Sequence, residues 1–198
     1  YVTEEKENMK KVVKVGGSSL ASARQFKKVG DIIRSEKSRR YVVPSAPGKR
    51  NDKDEKVTDM LYECYQAAAE KRKEFKNLLR CIQERYQEII GGLGLTLSLE
   101  EEFAVIEQSF KNGAGEQYAA SRGEFLNGKI MAAYLGYEFI DAAEVIIFDD
   151  NGSFEADRTD EILSARLEHV QTAVIPGFYG ATEDGVVHTF SRGASAVT

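Results

Sequence analysis

Lys11-Val12-Val13-Lys14-Val15-Gly16-Gly17-Ser18-Ser19 sets a β-branched run directly before two glycines and two serines. Val12, Val13 and Val15 fit a short strand buried on both faces of a sheet. Past the serines the spacing turns helical, with Phe26, Val29 and Ile33 on one stripe and Ser22 and Gln25 as a capping box at its start. Strand, glycine turn and helix start together form a natural anion site. The glycines admit close backbone approach, and the first-turn N–H groups carry the positive end of the helix dipole. Lys14, the last charged side chain before the turn, is then the candidate mobile cation for phosphate handling. An ordinary β-turn-α connection with a solvated lysine has the same local pattern, and neither a P-loop nor a GxGxxG fingerprint is complete here.

The whole chain narrows the class. Its 198 residues are enough for one domain with a real core. With 42% hydrophobic and 30% charged residues and a net charge of -5, it reads as soluble and globular, and as a poor generic nucleic-acid binder. No apolar run is long enough to span a bilayer, and no secretory signal is recognisable. Cys64 and Cys81 lack CxxC spacing and neighbouring histidines, so they read as reduced thiols of a cytoplasmic protein, with no metal site. His169 and His188 read as surface residues.

In chain order, residues 1–8 form a polar leader. Tyr41-Val42-Val43 is a second strand closed by Pro44, followed by the turn chemistry of Ser45-Ala46-Pro47-Gly48-Lys49-Arg50. Ligands of open α/β sheets bind beyond the carboxyl ends of strands, which puts Ser45 and Gly48 near Gly16 and Gly17. Residues 58–90 read as two helices, with Leu61, Cys64, Tyr65 and Ala68 on one apolar face and Leu78, Leu79, Ile82, Tyr86 and Ile89 on another. The charges between them fit a solvated face. Gly91, Gly92 and Gly94 break the run, and Ser98 with Glu101 caps the next helix. This charged insertion, about 56–112, has the character of a lid or subdomain more than of core. Ser121 and Glu124 read most simply as another capping box; functionally, Glu124 is an acid at a helix start, able to accept from a substrate ammonium. Gly136 ends that helix. Strands follow at 137–140, 145–148 and 173–175, with a helix over 159–169 and a hairpin about Asp184-Gly185. Strands alternating with helices give an α/β fold, a three-layer α/β/α sandwich on a mainly parallel sheet.

Five stretches in register carry a family resemblance: Lys14-Val-Gly-Gly-Ser-Ser19, Val43-Pro-Ser-Ala-Pro-Gly-Lys-Arg50, Ser121-Arg-Gly-Glu-Phe-Leu-Asn-Gly128, Ile175-Pro-Gly-Phe-Tyr-Gly180 and Thr189-Phe-Ser-Arg-Gly193. Together they resemble the aspartate kinases of the amino acid kinase family, from about residue 9 to the end of the chain. The resemblance implies transfer of the ATP γ-phosphoryl to the side-chain carboxylate of L-aspartate, with Mg2+ carried by the nucleotide and no protein metal ligand assigned. It implies that Lys14 stabilises the transferring phosphoryl, that Gly16, Gly17 and Ser18 cradle phosphate, and that Glu124 takes the α-ammonium of aspartate. Arg192 would grip its α-carboxylate, and Ser45 and Ser195 would line the same pocket. It further implies a homo-oligomer for the full-length protein.

Two residues depart from the pattern. Ala194 stands where the family keeps glycine, and Ala196 where it has aspartate. The family also continues into a nucleotide-binding half, so the fold is expected to be incomplete at its C-terminus, with 9–198 as the aspartate-binding half and the isolated chain inactive. A non-catalytic aspartate-binding or regulatory protein, or another amino acid kinase such as glutamate 5-kinase, is the alternative.

Overall fold

The structure, a computed structural model, describes residues 9–190. Four parallel strands, β1 (Lys11–Val15), β2 (Arg39–Pro44), β3 (Glu138–Phe139) and β4 (Ala173–Val174), form a sheet in the order β1-β2-β4-β3. Five helices pack as one body: α1 (Ala23–Arg34), α2 (Val57–Ala69), α3 (Phe75–Leu93), α4 (Glu100–Lys111) and α5 (Glu116–Leu135). The short α6 (Ala142–Val145) and α7 (Ala156–Leu167) follow, with an antiparallel pair β5 (Tyr179–Ala181) and β6 (Val187–Thr189) at the end.

The register sorts side chains onto two faces. Val13, Val42, Val174 and Phe139 are cross-strand neighbours, and all join the core shared with α1 to α5. The next row, Val12, Tyr41, Ala173 and Glu138, lies on the other face, where Tyr41 and Ala173 pack with Val145 of α6 and Tyr179 of β5. That second cover stops short of β1. Val12 is 64% exposed, so the first strand is buried on one face only and edges the sheet of the described residues. Its β-branched run read as a doubly buried strand because periodicity cannot reveal a strand's place in a sheet.

The helical stretch also differs from its reading as a lid. Leu61 and Cys64 of α2, Ile82, Tyr86 and Ile89 of α3, and Phe103, Ile106 and Phe110 of α4 are buried in the same core as Phe26 and Ile33 of α1. Helix α3 runs straight through Gly91 and Gly92 and stops at Gly94, whose left-handed φ of 69° turns its N–H back onto the Gly91 and Ile90 carbonyls. Gly92 is required by packing, since a Cβ there would lie 2.5 Å from the Ala23 Cβ. Ser98 accepts from the Glu100 N–H at 3.3 Å, one residue outside the N-cap Leu99. The expected strand over 145–148 is a turn of helix α6 followed by two isolated bridges, from Ile147 to Ala181 and from Phe148 to Phe154. The hairpin about Asp184-Gly185 is present, with Gly185 at φ 85°.

The paired glycines give a direct test. Gly91→Ala, on an open helix face with no atom near its added Cβ, should stabilise the fold by about 0.4–1 kcal/mol. Gly92→Ala should destabilise it by roughly 1–3 kcal/mol through overpacking against α1. Urea unfolding of the two variants checks both signs.

Candidate active site

All four strands of the parallel sheet run the same way, so their carboxyl ends open on one edge, where parallel sheets place their ligands. Two loops meet there. From β1 the chain passes through Gly16 into a 3-10 turn, Gly17–Leu20, before Ser22 caps α1 by accepting from the Gln25 N–H. The first-turn amides of α1 are therefore set back from the glycines by this extra turn. From β2 the chain runs through Ser45 to Gly48. The Ser45 N–H donates to the Val15 carbonyl at 3.0 Å, and the Gly48 N–H to the Gly17 carbonyl at 2.8 Å.

The glycines divide into two kinds. A Cβ on Gly17 would stand 2.7 Å from the Ala46 carbonyl oxygen, and one on Gly48 2.7 Å from the Gly17 carbonyl carbon. Both are glycine because two backbones touch. Gly16 is extended at φ -74°, and a Cβ there would meet nothing within 4 Å. Nothing in the fold requires glycine at 16, and the space beside it is open. Ser18 is exposed in the turn, and Lys14 is exposed on β1 opposite Val43.

Helix α5 lies against the β2 loop and supplies the acid. Glu124 sits in its middle, 6% exposed, and Oε1 accepts from the Ala46 N–H at 3.3 Å. Neither sequence reading of this segment, a capping box or an acid at a helix start, holds. The helix begins at Glu116, and the Ser121 hydroxyl donates back to the Tyr118 carbonyl at 2.6 Å. Glu124 Oε2 is buried without a hydrogen-bond partner among the described residues. Burial pushes its pKa from 4.5 up to about 7, against the lowering effects of the Ala46 N–H, its own backbone N–H and the Arg122 charge. A buried carboxyl with an unused oxygen has the chemistry to accept from a cation.

Its neighbours are equally enclosed. Asn127, one turn on, donates from Nδ2 to the Ser45 carbonyl at 2.7 Å, leaving Oδ1 buried and without a partner among the described residues. The Tyr86 hydroxyl of α3 donates to the Gly123 carbonyl at 2.7 Å, and burial together with the Glu124 charge holds it protonated. The Arg122 guanidinium lies over the rings of Phe125, Tyr118 and Tyr179 at 4.3, 4.6 and 5.4 Å. Arg85 of α3, 4% exposed, donates to the Gly48 carbonyl at 2.7 Å and the Ala21 carbonyl at 3.1 Å, and pairs with Asp54 at 2.7 Å.

The structure thus brings Ser45, Glu124, Gly16, Gly17 and Ser18 to one sheet edge, with Lys14 on the strand that leads there. Arg192 and Ser195 lie outside the described residues. The last described stretch approaches the same place: the Thr189 N–H donates to Gln117 at the start of α5, and the Phe190 N–H to the Phe178 carbonyl. Asn127 and Arg85 escaped the sequence reading. Arg85 left a signal, since it interrupts the apolar stripe Ile82, Tyr86, Ile89 where a solvated charge has no place. Among the described residues, no group of three or more His, Cys, Asp or Glu could hold a metal ion, and no helix is long and apolar enough to cross a membrane.

Residues 9–197 match the model of the amino acid kinase family. The chain belongs to the amino acid kinase family. Similar members include aspartokinase 3 of Bacillus subtilis, 37% identical over 95% of this chain and 44% of that protein. An aspartokinase of Chlamydia muridarum is 27% identical over 93% of the chain and 43% of its own length. The crystal structure of Clostridium acetobutylicum aspartate kinase superposes with a TM-score of 0.87 and 47% identity, over 92% of this chain and 42% of that one. The E. coli aspartokinase III structure with aspartate and ADP shares the fold at a TM-score of 0.75 and 21% identity, over 93% of this chain and 44% of that one. The chain thus spans less than half the length of these amino acid kinases.

The raised pKa of Glu124 fixes a pH dependence. In the folded state this carboxyl holds its proton up to about pH 7, whereas the unfolded chain releases it near 4.5. Its contribution to stability is full below pH 4.5 and lost as pH rises through 7. Glu124→Gln, which carries no charge to bury, should unfold later than the wild type at pH 8, by up to about 3 kcal/mol, and the gain should vanish near pH 4. Denaturant melts at the two pH values measure it.

Proposed function

We propose that this chain forms the aspartate-binding part of an aspartate kinase, which transfers the γ-phosphoryl of ATP to the β-carboxylate of L-aspartate and yields 4-phospho-L-aspartate and ADP. The observation that carries this reading is Glu124: a buried acid beside the β2 loop with one oxygen unused, on a family fold whose similar members are aspartokinases. An α-ammonium supplies the charge and the donors that this oxygen lacks. A nucleotide or an acylated amine would not, which disfavours those two acceptors; glutamate carries the same ammonium and is separated by turnover.

The chemistry needs alignment and charge neutralisation more than covalent help. A β-carboxylate oxygen attacks the γ-phosphorus, the bond to the bridging oxygen of ADP breaks, and the electron pair leaves with ADP. Aspartate is already ionised near neutral pH, so no general base is assigned. Glu124 is assigned to the ammonium, Arg192 to the α-carboxylate as a bidentate fork, and Ser45 and Ser195 to aspartate binding beside them in role. Lys14 offsets charge on the transferring phosphoryl. The open space at Gly16 fits close approach of a phosphate oxygen, with Gly17 and Ser18 completing the turn around it. Mg2+ is assigned to the nucleotide's own phosphates. We place the enzyme in the cytoplasm and assign the full-length protein to a homo-oligomer.

Ala196, where the family carries aspartate, favours a second reading in which the protein binds aspartate without phosphorylating it. Coupled ADP release by the full-length gene product separates the two. The kinase reading expects turnover dependent on both aspartate and ATP. It also expects Glu124→Gln to raise KM for aspartate about tenfold or more, the worth of a charge-assisted bond to a buried group, with KM for ATP unchanged. Aspartate binding without ADP release would establish the second reading, and equal turnover of glutamate would contradict the aspartate pocket.

A further inference from the structure

The geometry points to Arg85 as a positioning residue that sets the phosphate-side loop of the active site, an inference that rests on the kinase reading above. Its guanidinium is buried in a helix core, where a charge persists only with partners that justify its desolvation. One partner is Asp54, whose side chain is 12% exposed. The other two are backbone carbonyls, Gly48 at 2.7 Å and Ala21 at 3.1 Å, and one nitrogen, Nη2, donates to both.

Those carbonyls flank the place where the two site loops touch. Ala21 directly follows the 3-10 turn that carries Gly17 and Ser18, and Gly48 is the residue whose N–H donates to the Gly17 carbonyl. Arg85 therefore joins the end of the β1 turn to the end of the β2 loop, across a contact so close that neither Gly17 nor Gly48 has room for a Cβ. Rotation or retreat of the guanidinium would leave two carbonyls unpaired and let the Gly17–Ser18 backbone shift against the fixed β strand. A planar, multiply donating fork can serve three acceptors at once; a lysine ammonium on its thinner stem cannot reproduce that geometry.

The division of labour around the β2 loop makes the role specific. Its aspartate side is carried by α5, through Asn127 on the Ser45 carbonyl and Glu124 on the Ala46 N–H. Its phosphate side, at Gly48, is carried by α3 through Arg85. Asp54 supplies the counter-charge and is itself bound by Arg50, so it neutralises Arg85 without touching either loop carbonyl.

The test is steady-state kinetics of the full-length gene product carrying Arg85→Lys, with Asp54→Asn beside it and a thermal melt of each. Arg85→Lys should lower kcat at saturating substrates roughly 100-fold, the cost of a misplacement of about 1 Å, while KM for aspartate stays within about twofold. Asp54→Asn, which leaves both carbonyl bonds in place, should keep kcat within about threefold of the wild type. Should Arg85→Lys fail to accumulate folded, the double variant Arg85→Gln/Asp54→Asn, which buries no lone charge, is read by the same split. Unchanged kcat in a folded Arg85 variant, or equal changes in kcat and in KM for aspartate, would overturn the positioning role alone. An inactive wild-type protein would overturn the kinase reading and this inference with it.

Discussion

The peptide bond between Ser45 and Ala46 is gripped at both ends by helix α5. Asn127 donates to its carbonyl, and Glu124 accepts from its N–H. The rest of the site is arranged around this grip. It ties the end of β2 to helix α5, and it commits each side chain by one arm only, leaving Glu124 Oε2 and Asn127 Oδ1 without a partner among the described residues. Buried polar atoms without partners are rare in folded chains because each costs desolvation free energy. The two atoms stand where the proposed aspartate site needs an acceptor for an ammonium.

From that grip the loops assemble outward. Gly17 and Gly48 touch backbone to backbone, the Ser45 N–H closes on Val15, and the Val57 N–H at the start of α2 holds the Pro47 carbonyl. Arg85 fastens the far end. The loop is thus held by contacts independent of any ligand, which suits the proposed phosphoryl transfer, whose work is alignment. Gly16 alone stays outside this packing, with open space where a side chain would stand.

Much of this was legible in the sequence. The strand-glycine-helix start, the turn after Pro44, the two long helices and the late hairpin all follow from local chemistry. Local chemistry also pointed Gly16 and Ser45 to one edge of a parallel sheet. What stayed hidden depended on neighbours distant in the chain. Val12 is exposed because nothing among the described residues covers that corner, and no periodicity reports on cover. Ser121 and Glu124 match a capping box in spacing, but tertiary packing starts α5 at Glu116 and leaves both in its middle. Gly91 and Gly92 look like a helix stop, and the helix overrides them because the contact of Gly92 with Ala23 rewards a small residue more than propensity penalises it. Arg85 and Asn127 serve carbonyls contributed by loops far away in sequence, which no local pattern announces.

Glu124, its pKa raised to about 7 by burial, is the group proposed to meet the ammonium. Calorimetric titration of L-aspartate into the full-length gene product at pH 7, repeated in buffers of different ionisation enthalpy, measures the protons exchanged on binding. With its pKa raised to about 7 the carboxyl is half ionised when empty and fully ionised against a bound ammonium. The account predicts release of about half a proton per aspartate, abolished in Glu124→Gln and absent with succinate, which has no ammonium. Binding with no proton release, or succinate binding as tightly as aspartate, would contradict it.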